Sequence, residues 1–332
     1  MQEFLIEILE CPSCHGELNW KITQHRGDRI EEAAAVCKNC KAVYPVQKGI
    51  GIFLTPDVSR NDFWEQVSNQ LTQFLQKNPL IEKKLMNTPL NELNPADQNF
   101  RASILEERGK YLLAKATIDV ALSKMYTPEY LKCFNSQIDY LIAQLSLFDC
   151  PIVDLASGRV EFAEIMLRKL KQDVVITDFS PRILYRNRRW LEYFNLYDKV
   201  SLLAFDARRT PFKDGAVELM TTNLGLVNIE NSGNISFELR RIVSGKFFAI
   251  SFFYQEDDEE NAKIIKKFGI DKFLFKHSAL EAFRSAGWNV KMENMMIGKA
   301  SPTPKGEIIE EGILDALPVS DTRLEWGVLT AH

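Results

Sequence analysis

Three apolar runs in the second half of the chain each reach an aspartate near their end. PIVDLA carries Asp154, DVVITDFS carries Asp178 and VSLLAFDA carries Asp206. The first two are followed by stretches with apolar residues at helical spacing, 161–170 and 181–194. Strands alternating with helices argue for a parallel sheet covered on both faces. The alternation continues with AVELMTTNLGLV as a fourth strand, a helix at 236–242 and GKFFAISFFY as a fifth strand. Helices are expected at 259–268 and 277–286, with His277 opening the second. The acidic run 255–260 opens the first, where negative charge suits the helix dipole. WNVKMENMMIG and LEWGVLTAH read as two last strands, paired as an antiparallel hairpin at one sheet edge.

The turn after the first strand, in IVDLASGRVEFA, places Gly158 between strand and helix. Such a turn brings backbone N–H groups and a helix N-terminus towards a ligand. A single strand-end aspartate often caps the next helix. Three at the ends of consecutive strands, with a glycine turn after the first, favour a bound nucleotide-like cofactor.

The first 56 residues form a different unit. CPSC and CKNC place Cys11, Cys14, Cys37 and Cys40 in two tight pairs about twenty residues apart. Two such knuckles complete a tetrahedral four-cysteine zinc site. Reduced thiol pairs without metal, or a redox pair, are the other readings. So small a segment has little core of its own, and a metal would supply the missing stability. LNWKI and AAAVC are expected as strands around the polar turn QHRGDR. Cys133 and Cys150 stand alone.

Residues 57–148 read as a helical connector. FWEQVSNQLTQFLQK repeats apolar residues at Phe63, Val67, Leu71, Phe74 and Leu75. Pro79, Pro89 and Pro95 are expected in a loop. A second helix is expected from about 99–103 to 122, and a third over 128–147. The connector either packs its apolar stripes on its neighbours or acts as a lid, with Arg101, Arg108 and Tyr126 as the groups that could reach a ligand carboxylate.

The net charge of −4 excludes a generally basic nucleic-acid binder. No apolar run approaches the length of a membrane span. The N-terminal stretch MQEFLIEILECP lacks a signal-peptide pattern, so a cytoplasmic location is the expectation.

LIEILECPSCHGELNW and CKNCKAVYPVQKGIGIFL resemble the zinc-ribbon proteins that act as methyltransferase activator subunits. That resemblance implies a final hairpin at AVYPVQKGIGIFL and allows a protein partner through the ribbon. Residues 149–332 resemble a class I S-adenosylmethionine-dependent methyltransferase. The implied fold is α/β, a Rossmann-like seven-stranded sheet with helices on both faces, behind a small β zinc ribbon (1–56) and the connector (57–148). By the same resemblance Asp154, Ala156 and Gly158 hold the methionine part of S-adenosylmethionine. Asp178, with Phe179 beside it, takes the ribose hydroxyls, a fixed carboxylate accepting both. Asp206 and Ala207 take the adenine, and Asn223–Leu224–Gly225 lies beside the methyl group.

The pattern departs from the family at Val160, where a glycine is usual; valine adds bulk against the cofactor. The neighbouring Arg159 is read as solvated. No Asn/Asp-Pro-Pro-aromatic run follows the fourth strand, which argues against methylation of adenine or of an amide nitrogen. No cysteine lies near Asn223, so covalent attack on a pyrimidine has no nucleophile. Transfer to oxygen, another nitrogen, carbon, sulfur or arsenic remains, and positioning supplies most of the rate. No catalytic residue is named by the sequence. Arg182, Arg186, Arg188 and Arg189, interleaved with Tyr185 and Trp190, read either as an RNA-contacting face or as a solvated one. The layout also resembles ribosomal-RNA guanine methyltransferases with an N-terminal zinc module. Their ligands include a histidine, so their substrate does not carry over, and the acceptor is a small molecule or RNA. Val160 favours an alternative, a degenerate methyltransferase fold kept as a binding or scaffold module.

Overall fold

The computed structural model describes residues 1–57, 62, 70, 71, 73–310 and 314–332. The first segment supplies β1 (Leu18–Arg26), β2 (Arg29–Cys37), β3 (Val43–Gln47) and β4 (Ile50–Ile52). The last supplies β5 (Ile152–Asp154), β6 (Val174–Asp178), β7 (Val200–Ala204), β8 (Val217–Asn223), β9 (Val243–Phe253), β10 (Val290–Ala300) and β11 (Thr322–Ala331). All belong to one sheet in the order β1-β2-β3-β4-β7-β6-β5-β8-β9-β11-β10.

The five strands from β7 to β9 run parallel. Every residue of β6 and of β7 is buried, as expected of strands covered on both faces. Successive side chains feed opposite cores. Ile152, Ile176 and Leu202 join one cluster, and Val153, Val175 and Leu203 join the other. β11 pairs antiparallel with β9, and β10 pairs with β11 at the edge, the expected hairpin. Strands β5 to β11 thus form the seven-stranded Rossmann-like part of the sheet that the resemblance implies.

The ribbon joins this sheet rather than hanging from it. β1 and β2 form the expected hairpin, with Leu18 opposite Cys37 and Trp20 opposite Ala35. β3 and β4 form the second. β4 then runs parallel beside β7, with Ile50 opposite Leu202 and Gly51 opposite Leu203. The approach is close. A Cβ on Gly51 would lie 2.8 Å from Leu203 Cδ2 and 2.9 Å from Phe53 Cε2, so any side chain there would force these two to shift. The Phe53 N–H donates to Ala204 O at 2.7 Å, and the Glu10 N–H donates to Pro211 O at 2.7 Å. Leu5, Leu9 and Phe53 pack in the same cluster as Val153 and Leu203. Nothing in a three-residue apolar run announces such pairing, because it depends on an edge 150 residues away.

The connector differs from expectation in three places. The helix expected across 99–122 is two helices, Pro95–Glu107 and Tyr111–Met125. Gly109 breaks it at φ +71°, a left-handed turn that glycine adopts without penalty. Pro79 and Pro95 do not sit in a loop. They open helices Pro79–Asn87 and Pro95–Glu107, where a missing N–H costs nothing. The Asn94 side chain caps the second by accepting from Asp97 N–H at 2.9 Å. The first expected helix, at Phe63–Lys77, lies largely outside the described residues. Its described members Leu71, Phe74 and Leu75 pack with Leu85 and Phe100. The third helix, Pro128–Leu145, is as expected and buries Ile138, Leu141, Ile142 and Leu145. Among the described residues no helix is long and apolar enough to cross a membrane.

Candidate functional site

The four cysteines come together. Their sulfurs all lie within 4.8 Å of one another, with Cys11–Cys40 at 3.6 Å and Cys14–Cys37 at 3.5 Å. Each knuckle closes on a residue in the left-handed region just after its second cysteine, His15 at φ 57° and Lys41 at φ 65°. The His15 N–H returns to Cys11 O and the Lys41 N–H to Cys37 O. A zinc–sulfur bond of about 2.3 Å puts tetrahedral sulfurs about 3.8 Å apart. The cluster matches that spacing and fits a tetrahedral ion.

Two of the strand-end aspartates, Asp178 and Asp206, line a cavity of about 500 Å³ at the carboxyl ends of the parallel strands. Asp154 is buried at the end of β5. The turn that follows is left-handed twice, at Ala156 (φ 50°) and Gly158 (φ 56°). Ser157 N–H donates to Thr177 O at 2.7 Å, and Thr177 Oγ1 donates to Asp154 O at 2.8 Å. Gly158 N–H donates to Asp178 Oδ2 and Ser180 N–H to Asp178 Oδ1, both at 2.9 Å. The turn and the second acid are therefore one rigid unit. Burial pushes Asp178 up to about 6, against the pull of those two N–H groups, and pushes Asp154 up to about 7.

Of the residues expected to bind cofactor, Ala156, Gly158, Asp178, Phe179, Asp206 and Ala207 line this cavity. Asp154 and Asn223, also expected there, are not among its lining residues. Asp154 Oδ1 and Asn223 Oδ1 are buried with no hydrogen-bond partner, an arrangement that a ligand's donors could satisfy. Gly225 packs against the turn, where a Cβ would lie 3.0 Å from Ala156 O.

Val160 does not enter the cavity. It sits at the N-terminus of helix Glu161–Lys169, 5% exposed, within the core formed with Phe162 and Met166. The bulk expected against a ligand is turned into the protein instead.

The other polar expectations change with the structure. Arg159 is not solvated; it donates to Ser103 Oγ at 3.2 Å and to Glu106. Arg186 forms a buried two-bond pair with Glu106. Arg188 pairs with Glu31 at 2.8 Å and with Glu192, and Arg189 pairs with Glu107. Arg186 and Arg188 clamp helix Pro181–Tyr193 to helix Pro95–Glu107 and to the ribbon, whereas Arg182 and Arg189 are exposed, as the solvated reading expects. Arg101 caps helix Pro79–Asn87 through Leu85 O and Thr88 O. Arg108 pairs with Glu82. Of the three expected lid groups, only Tyr126 reaches a cavity-lining residue, donating to Asp315 Oδ2 at 2.9 Å.

Arg208 and Asp315 are among the lining residues to which the sequence assigned no role. Arg208 spans Asp206, its Nε 2.9 Å from Oδ1 and its Nη2 2.6 Å from Oδ2. Its position two residues after a strand-end acid was the available signal. Asp315 comes from the long loop between β10 and β11, where no local pattern marks it.

The comparisons with known proteins follow this division of the chain. Residues 2–49 match the model of the Trm112p-like proteins, and residues 137–257 match that of the ubiE/COQ5 methyltransferase family. A UPF0434 protein of Methylobacillus flagellatus is 34% identical over 67 residues, 20% of this chain and 98% of that protein. The ubiquinone/menaquinone biosynthesis C-methyltransferase UbiE of Rickettsia prowazekii is 21% identical over 150 residues, 43% of this chain. The matched stretch spans only 56% of that enzyme. Among solved structures, a methyltransferase-like protein of Bacillus halodurans aligns over 59% of this chain and 98% of its own, at 17% identity and a TM-score of 0.45. Geranyl diphosphate C-methyltransferase of Streptomyces coelicolor aligns over 59% and 78%, at 15% identity and a TM-score of 0.43. The chain thus joins a Trm112p-like segment at its start to a class I methyltransferase domain that matches the ubiE/COQ5 model.

Proposed function

We propose that the chain transfers a methyl group from S-adenosylmethionine to a small molecule, and that its four cysteines hold one zinc ion. The observation that carries this reading is the convergence of Gly158, Asp178 and Asp206 on one cavity. S-adenosylmethionine supplies a methyl group already activated on a sulfonium. The chain's part is to hold and orient. Asp178 keeps lone pairs beyond those used by Gly158 and Ser180 and accepts the ribose hydroxyls with them. Ala207 N–H and the Asp206 carboxylate would hold the adenine. Zinc at the cysteines fixes the ribbon, and the ribbon's β4 extends the sheet beside β7. We assign the activator-like segment to this chain's own methyltransferase domain as its partner.

A small-molecule acceptor is favoured over RNA, because two of the four arginines on helix Pro181–Tyr193, Arg186 and Arg188, are turned into ion pairs within the fold. One observation favours the second reading, a degenerate fold used as a binding module. Both oxygens of Asp206 are already taken by Arg208. Isothermal titration with S-adenosylmethionine separates the two. Binding in the micromolar range supports the enzyme, and no heat at millimolar cofactor would refute it in favour of the binding module.

A further inference from the structure

Most of the cavity wall comes from the ends of the parallel strands and the loops that follow them. Leu314 and Asp315 do not. They arrive from the long loop between β10 and β11. What holds that loop lies in the connector, at the N-terminus of helix Pro95–Glu107.

Asp97 is fully buried there. Its Oδ2 accepts from the N–H groups of Glu307 and Ile308, both at 2.9 Å, and its Oδ1 accepts from Ile309 N–H at 3.1 Å. Three backbone donors on one carboxylate replace the water it gives up on burial. Asn94 adds a further bond. Its Oδ1 caps the helix, and its Nδ2 donates to Lys305 O at 2.8 Å. The loop is shaped to this carboxylate. A Cβ on Gly306 would collide with Ile309 O, a backbone atom, and would lie 3.0 Å from Asp97 Oδ1.

The loop also shares a small core with the connector. Ile308, Ile309 and Leu314 pack with Leu85, Phe100 and Ile104, in a cluster to which no strand contributes among the described residues. Helix Pro95–Glu107, 13 residues and about 20 Å long, is therefore a rod with two attachments. At its C-terminal end Glu106 takes Arg186 and also Arg159, the residue after Gly158. At its N-terminal end Asn94 and Asp97 carry the loop. The glycine turn and the loop are tied to the same rod.

We infer that Asp97 is a positioning residue, which holds residues 305–310 so that Leu314 and Asp315 close over the bound cofactor. The inference rests on the methyltransferase reading above. Asp97 itself touches no ligand and acts through the three N–H groups it accepts from. A ligand that binds only under the closed loop stabilises those bonds in turn. Once they are weakened, the loop opens more often and the ligand leaves sooner.

Hydrogen exchange of the full chain, with and without S-adenosylhomocysteine, reads the loop directly. At a hundredfold excess of ligand over its dissociation constant, exchange of the 307–309 amides should slow at least tenfold. Asp97→Asn should speed that exchange in the free protein. Gly306→Ala should do the same while leaving the connector helix untouched, so it serves if the Asp97 variant folds poorly. Surface plasmon resonance on the immobilised chain should then show S-adenosylhomocysteine leaving either variant at least fivefold faster, with its association rate changed less than twofold. A purely structural role would lower the melting temperature and leave the dissociation rate where it was. Bound ligand that leaves 307–309 exchange unchanged, or variants that exchange fast yet release ligand at the parent's rate, overturn the positioning role and leave the cofactor reading standing. Failure of S-adenosylhomocysteine to bind the parent overturns the cofactor reading, and the positioning role with it.

Discussion

Gly158 N–H donates to the Asp178 carboxylate across 2.9 Å, and this bond locks the turn after β5 to the end of β6. The Ser180 N–H holds the other oxygen. Replacing the carboxylate leaves two backbone donors unpaired and removes the acceptor facing the cavity. Asp178→Ala should weaken S-adenosylmethionine binding by about 1–3 kcal/mol, the usual cost of unpaired buried polar groups. Isothermal titration measures this, and an unchanged affinity would remove Asp178 from the site.

The same carboxylate should make binding depend on pH. Its value in the folded chain is about 6, raised from 3.8 chiefly by burial. The folded state therefore holds the proton more tightly than the unfolded one, and stability falls as pH rises from about 4 towards 6. Ligand binding should run the other way, because only the ionised carboxylate accepts from both ribose hydroxyls. Affinity should rise as pH passes through about 6 and then level off. Asp178→Asn should flatten that profile, and titrations at pH 5, 6 and 7.5 are enough to see it.

Val160 gives a test of what the side chain does. It packs in the core at the start of helix Glu161–Lys169 and does not border the cavity. Val160→Gly should cost about 2–3 kcal/mol through lost packing and added backbone freedom. Cofactor affinity should change less than twofold. A tenfold gain in affinity in this variant would show that the valine does obstruct the ligand.

The sequence disclosed what is local and repetitive. Strands β5 to β7 are short apolar runs buried on both faces, so each was visible, and the aspartates at or just past their ends marked the sheet's functional edge. The cysteine knuckles were visible because their spacing is a covalent constraint. Gly109 hid a helix break, since one glycine in a helical pattern is ambiguous until its φ is known. The remaining features depend on distant segments. Arg186 finds Glu106 eighty residues earlier, and Tyr126 finds Asp315 in a loop 189 residues later. Ile50–Ile52 finds β7. No periodicity records such partners, because charge pairs and edge pairings are decided by which surfaces the fold brings together.

The joint between ribbon and methyltransferase domain carries the last test. Leu9, two residues before Cys11, bridges to Phe212. Glu10 N–H bonds Pro211 O, and its carboxylate accepts from Arg241 at 2.9 Å. These contacts hold the segment that begins at Asp206 and Ala207 in the cavity wall. On the other side β4 covers the edge of β7, whose exit leads to the same two residues. Stripping the cysteines of metal should loosen the first knuckle and leave that edge unsupported, because a small ribbon folds on its ion. A strong chelator should therefore lower the melting temperature and weaken S-adenosylhomocysteine binding together, and one equivalent of zinc should restore both. A Cys14→Ser and Cys40→Ser variant should behave like the chelated protein. Loss of metal that leaves ligand affinity unchanged would mean that the ribbon is a passenger on the sheet, despite the bonds that join them.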